Sequence, residues 1–197
     1  ECNFELSSEK NVISVGVTLF RIRVQKNFVH KIAGEIKAGT LGGWVDSLDR
    51  LKNSLGIFGD AWVSDDACVY GNAHVYGDAW VSGAARVSGA ARVYGDARVY
   101  GDARVYGAAR VYGDACVYDD ARVYGYARVY GNARVFGKLK INFILCSKFS
   151  FEFEFQVELW KKLEILYKKE CERKMMNEDK NGKITMQNKK MAKHTKK

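Results

Sequence analysis

Arg92, Arg110 and Arg128 recur at intervals of eighteen residues, and Tyr76, Tyr94, Tyr112 and Tyr130 keep the same interval. A guanidinium stays charged at any physiological pH and presents a planar fork that matches carboxylates and phosphates. Arg and Tyr are also the side chains enriched where a few residues carry most of a binding energy. Together with Tyr126, these residues form a candidate binding surface for an acidic protein, a nucleic acid or a second copy of the chain. The same residues have an internal reading. Arginines stacked about 4.8 Å apart repel one another. A tyrosine beside each relieves that by cation–π contact, worth about 0.5–1 kcal/mol when exposed.

Signals for catalysis are sparser. The histidines are His30, His74 and His194, and none has a Ser, Cys or carboxylate at a motif spacing. His74 takes an outward slot that Arg fills in other copies of the repeat. It is either a surface residue or, if the chain transfers acyl groups, the base; no other catalytic residue is assigned. The sequence has no P-loop, no GxGxxG and no cluster of metal ligands, so neither a cofactor nor a metal is expected. The five cysteines (Cys2, Cys68, Cys116, Cys146 and Cys171) lack CxxC spacing, which favours a reducing cytoplasm over a disulfide framework.

Positioning these side chains is the work of one six-residue unit. Alanine recurs at every sixth position from Ala61 to Ala133, thirteen times, and an aliphatic residue follows two places later, from Val63 to Val135. Ile57 and Ile141 extend the aliphatic frame, and Val45 and Leu51 keep it further upstream. In a strand, alternate residues face opposite ways. Within A-R-V-Y-G-D, Ala and Val therefore point inward, Arg and Tyr outward, and Gly-Asp turns the corner. Three such sides close an eighteen-residue coil, and coils stack through parallel hydrogen bonds. Sorted by eighteens, a first face carries Trp62, Trp80, Arg98, Cys116 and Arg134 beside corner residues Asp60, Asp78, Asp96 and Asp114. A second carries Cys68, Arg86, Arg104 and Arg122 beside Asp66, Asp102 and Asp120. The third carries His74, Arg92, Arg110 and Arg128 beside Asn72, Ala90, Ala108 and Tyr126. On the first two faces Asp columns can offset Arg columns; the third lacks an acid at its leading corner. Asp65 and Asp119 replace the usual glycine and read as left-handed corner residues.

The expected organisation is an all-β chain. A β cap over 1–42 precedes a triangular, single-stranded parallel β-helix over 43–142. A strand and helix then cap the far end over 143–175, and 176–197 form a basic tail. VTLFRIRV (17–24) alternates as a strand does, as does Phe149 to Leu159, and Leu159, Leu163, Leu166 and Tyr167 share a helical face. Open solenoid ends expose core and strand edges, so both flanks are expected to be caps.

Net charge is +9, yet residues 57–137 hold eight Arg against nine Asp, whereas residues 168–197 hold eleven Lys or Arg against four acids. The tail reads as a solvated extension or as a contact for nucleic acid. No run of 18 apolar residues occurs, so no membrane span is expected, and ECNFELSSEK does not read as a signal peptide.

The hexads resemble the hexapeptide-repeat family, whose solenoids are left-handed and many of whose members are acyltransferases using acetyl-CoA or a similar acyl donor. Val75 with Ala79, and Val93 with Ala97, match the aliphatic and small positions of that motif. The residue after the aliphatic is Tyr or Ser, a departure, and no loop interrupts residues 57–141 as it does in the enzymes. Residues 3–137, and above all LFRIR (19–23) and GTLGGWV (39–45), resemble a YdcK-type β-solenoid family of bacteria and prophages, whose members carry transferase or polymer-forming labels. That resemblance implies the fold and a bacterial or phage origin, and brings no catalytic residues. The reading favoured is a non-enzymatic solenoid, cytoplasmic in a bacterium or infected cell. It would engage a protein partner or another copy, one form being an inhibitor docked on a host nucleic-acid enzyme. The alternative is an acyltransferase.

Overall fold

The computed structural model describes residues 2–13, 16–142, 144–146 and 150–151, which all lie within one compact unit, Glu1–Glu154. Three parallel sheets run along the repeat. The first face stacks Trp62–Val63, Trp80–Val81, Arg98–Val99, Cys116–Val117, Arg134–Val135 and Ser150–Phe151. The second stacks Cys68–Val69, Arg86–Val87, Arg104–Val105, Arg122–Val123 and Lys140–Ile141. The third stacks His74–Gly77, Arg92–Gly95, Arg110–Tyr112, Arg128–Tyr130 and Ile144–Cys146. Arg92 pairs with Arg110, and Arg110 with Arg128, so the eighteen-residue register holds. Each rung is tied by amides that donate to the next coil, as in Arg92 N to Ala109 O and Arg110 N to Ala127 O, both 2.9 Å. The chain is therefore an all-β parallel solenoid, as the hexads imply.

Inside, the alanine and valine columns are fully enclosed. Every Ala from Ala67 to Ala133 and every Val of the frame from Val63 to Val135 is 0% exposed. Leu139 takes an alanine slot and is equally buried. There the coil shortens: Val129 faces Leu145, and Val135 faces Phe151, sixteen residues on rather than eighteen. The stack thus continues past Ile141 through Ile144–Cys146 and Ser150–Phe151. Most of the expected strand over 149–159, the expected helix and the basic tail lie outside the described residues.

At the other end, strand β1 (Phe4–Val12) pairs antiparallel with β2 (Thr18–Val24), and β2 with β5 (Leu41–Val45). β2 is the strand that VTLFRIRV predicts. A short hairpin, β3 (Phe28–His30) and β4 (Gly34–Ile36), lies between β2 and β5. Strand β5 joins the second face in parallel, Val45 opposite Val69. Gly42 and Gly43 make this possible. A Cβ on Gly42 would meet Val63 O at 2.6 Å, and one on Gly43 would meet Ala67 O at 2.6 Å. The paired glycines let β5 lie directly against the first coil and close its core.

The expected frame fails at one point. Val45 and Val69 are twenty-four residues apart, six more than one coil, and Ile57 is 57% exposed instead of inward. A 3-10 helix over Leu48–Leu51 buries Leu51, and the chain then makes an excursion closed by a Lys52–Phe58 bridge. Asn53 Oδ1 accepts from the amides of Leu55 and Ile57, holding that turn. Sequence period alone cannot distinguish six residues that add a side from six that loop out.

The corners need left-handed backbone. Gly107 has φ +73°, and a Cβ there would sit 3.0 Å from N and 3.2 Å from O of Gly125 in the next coil. Asp65 and Asp119 adopt φ 58° as expected, and each turns this to use. Their Oδ2 atoms accept from Gly83 N at 3.0 Å and Gly137 N at 3.3 Å, one coil on. Gly107→Ala should lower unfolding free energy by about 2 kcal/mol or more, through left-handed backbone strain of roughly 1–2 kcal/mol plus the backbone clash. Gly56→Ala, with φ +75° but open space around it, should lose only the strain. Urea denaturation of both variants compares the two directly.

Candidate functional site: the Arg and Tyr columns

The third face brings most of the expected surface together. Tyr76, Tyr94, Tyr112 and Tyr130 form one continuous ladder, with successive ring centroids 5.0 Å apart and planes within 3° of parallel. The spacing is that of the rungs, because each ring is carried in register by its strand. Tyr94 is stacked on both faces, and burial pushes its phenol above its ordinary pKa; the neighbouring Tyr76 and Tyr112 add to the rise, and Arg110 and Arg128 oppose it. Beside the ladder, Arg110 and Arg128 are exposed and Arg92 is half-buried. Tyr126 stands apart at the corner, 86% exposed and outside the ladder.

Two expectations about these columns are corrected. Among the described residues, no repeat arginine forms a cation–π contact; the three such contacts are Lys10 on Phe20, Arg21 on Trp44 and Lys52 on Phe58. Tyrosine stacks on tyrosine instead, since in-register strands place like residues over like. Nor does any repeat arginine have a carboxylate within 4.0 Å among the described residues, on any of the faces. The Asp columns stand at the corners, across the turn from the arginines, too far for a direct pair. Among the described residues the arginine columns are therefore charged, in register and without direct neutralisation.

One corner acid is engaged, by a contact the sequence did not reveal. Lys31 Nζ donates to Asp96 Oδ2 at 2.6 Å, sixty-five residues away. The β3–β4 hairpin thus reaches the Asp60–Asp114 corner column. Its other anchors are Phe28 and Phe4, which pack against the buried Trp62 at 6.1 and 6.0 Å between ring centroids. His30 sits completely enclosed in this hairpin. Its Nδ1 accepts from Ile32 N and Ala33 N, which puts the proton on Nε2. That N–H faces the backbone of Ala79 and Asp78 without reaching a hydrogen bond.

His74 also leaves the role of a bare surface residue. Its Nδ1 lies 3.0 Å from the carbonyl oxygen of Lys52, which can only accept. The ring proton is therefore on Nδ1, and Nε2 carries the lone pair. Cys68 and Cys116 are thiols pushed up in pKa chiefly by burial, so neither is an activated nucleophile.

Five stretches of the chain, residues 67–83, 91–107, 97–113, 109–125 and 127–138, match the YdcK beta solenoid repeat. All lie within the parallel coils, and they support a β-helix family for the repeat. No curated protein matches the chain.

Burial lowers the His30 pKa, outweighing the nearby backbone and the Asp78 and Asp60 carboxylates. In the unfolded chain the ring protonates near pH 6.5; in the fold it stays neutral to lower pH. Stability from this site is thus present above about pH 6.5 and is lost as pH falls below it. Thermal melts should show stability declining from pH 7.5 to 5.5. His30→Asn, whose Oδ1 can accept the same two amides, should flatten that decline.

Proposed function

We propose that the chain is a non-enzymatic β-solenoid scaffold whose third face engages an acidic protein surface. One observation carries the reading: Arg92, Arg110 and Arg128 stand in register beside a stacked Tyr76–Tyr130 ladder, with no carboxylate within 4.0 Å of any of them among the described residues. Such a face is already ordered before binding, so a partner meets few losses of rotamer freedom on the ladder side. Its arginines can form charge-assisted hydrogen bonds with such a surface. A phage-encoded inhibitor docked on an acidic surface of a host nucleic-acid enzyme is one form this takes. Tyr126, exposed at the leading corner, adds an aromatic anchor at the rim.

The triple variant Arg92→Glu, Arg110→Glu, Arg128→Glu tests it. Partner capture from bacterial lysate, at low and high salt, should be lost in this variant. It should persist when Arg98 and Arg134 of the first face are reversed. Equal capture by wild type and triple variant contradicts the reading.

A second reading, acyl transfer, draws support from His74, whose Nε2 is left free to take a proton by the Lys52 contact. Calorimetric titration with acetyl-CoA should show heat of binding, and His74→Ala should abolish acyl transfer, if this reading holds. No heat, or transfer unchanged by His74→Ala, removes it.

A further inference from the structure

The second face differs from the third in one rung. Its outer column reads Tyr70, Ser88, Tyr106 and Tyr124, where the third face has tyrosine throughout. Tyr106 stacks on Tyr124 at 5.4 Å, continuing the ladder on one side. Serine at 88 leaves a missing ring between Tyr70 and Tyr106. The register places those two residues two rungs apart, about 10 Å at the usual strand spacing. A planar ring entering midway would lie about 5 Å from each neighbour, the distance at which rings of this protein already stack.

The gap is a cavity of about 240 Å³, lined by Tyr70, Arg86, Ser88, Arg104, Tyr106 and Arg122. Its surroundings combine an aromatic slot, a hydroxyl at the floor and a row of guanidinium groups. Arg86, Arg104 and Arg122 are exposed and in register, and among the described residues none has a carboxylate within 4.0 Å. Lys140 continues the row, paired with Arg122. Base stacking on aromatic side chains is worth about 1–3 kcal/mol per base, and guanidinium forks fit phosphate oxygens in a bidentate manner.

We propose that this gap is a nucleotide site: the base enters the missing rung between Tyr70 and Tyr106, and the phosphate lies along Arg86, Arg104 and Arg122. Tyr106, stacked on Tyr124 on its other side, offers a ring face toward the gap, and Tyr70 lines the gap from the other rung. A base is thus admitted at one rung. The Ser88 hydroxyl can donate to or accept from a base edge. This site is on a different face from the acidic-partner surface and does not depend on it.

The ligand chemistry, an aromatic base joined to phosphate, is shared by free nucleotides and single-stranded nucleic acid. Calorimetry with ADP, inorganic pyrophosphate and a twelve-residue oligothymidylate tests the proposal on the full chain. ADP should bind at least tenfold more tightly than pyrophosphate, since pyrophosphate lacks the ring. Ser88→Tyr restores the ring that other rungs carry, so it should melt no lower than wild type and lose ADP binding at least tenfold. Arg104→Gln, which leaves the slot open, should weaken both ADP and pyrophosphate and provides the test if Ser88→Tyr does not fold. A Ser88→Tyr-sensitive oligonucleotide affinity above that of ADP identifies the polymer as the ligand; affinity for ADP alone identifies the free nucleotide. No ADP binding, equal binding of pyrophosphate and ADP, or ADP affinity unchanged in both variants overturns the site.

Discussion

The amide of each outward residue donates to a carbonyl seventeen positions on, one coil above, at about 2.9 Å. This hydrogen bond sets an eighteen-residue register, and most other features are consequences of it. Because strands are parallel and in register, every residue type in the repeat is laid over itself. Alanine over alanine and valine over valine make a narrow, fully enclosed core. Glycine over glycine brings corner backbones so close that a Cβ on one would meet the next coil at about 3 Å. Tyrosine over tyrosine makes ring ladders, and arginine over arginine makes columns of like charge. The fold tolerates those columns because all the repeat arginines except the half-buried Arg92 are exposed to water, where charges are screened strongly.

The same register explains which parts were legible in the sequence. Period six with alternating inward residues is enough to predict three parallel faces, and Arg92, Arg110 and Arg128 fall on one face as their spacing requires. The need for Gly42 and Gly43 shows only in the fold, where a Cβ on either would meet Val63 O or Ala67 O. Other features were hidden for physical reasons. Leu51 and Ile57 keep the hexad frame, yet a 3-10 helix and an Asn53-held turn divert the chain between them. Lys31 with Asp96 joins residues in the cap and the coil whose proximity depends on how a hairpin docks. The choice between Arg–Tyr and Tyr–Tyr contact depends on ring orientation, which spacing does not define.

On a self-repeating surface, information lies in departures from the repeat. Asp65 and Asp119 replace glycine and cap the next corner's amide. His74 replaces arginine and is held by the Lys52 carbonyl of the N-terminal excursion. Ser88 replaces tyrosine and opens a slot beside three arginines. The regular third face and the interrupted second face thus suit different ligands: a continuous array favours an extended acidic surface, and a single gap favours one planar group. The candidate binding capacity of the chain comes from these contrasts between faces that share one backbone geometry.

The register itself can be measured through a thiol the chain already carries. Cys116 is paired with Arg98, one coil below, on the first face. In Arg98→Cys, a short bifunctional thiol reagent such as dibromobimane should join residues 98 and 116 within one chain, seen as a cross-linked peptide by mass spectrometry. Arg104→Cys, whose rung partners are Arg86 and Arg122, should give no such product. A cross-link from position 98 no more frequent than from position 104 would contradict the eighteen-residue register, and with it the three-faced solenoid.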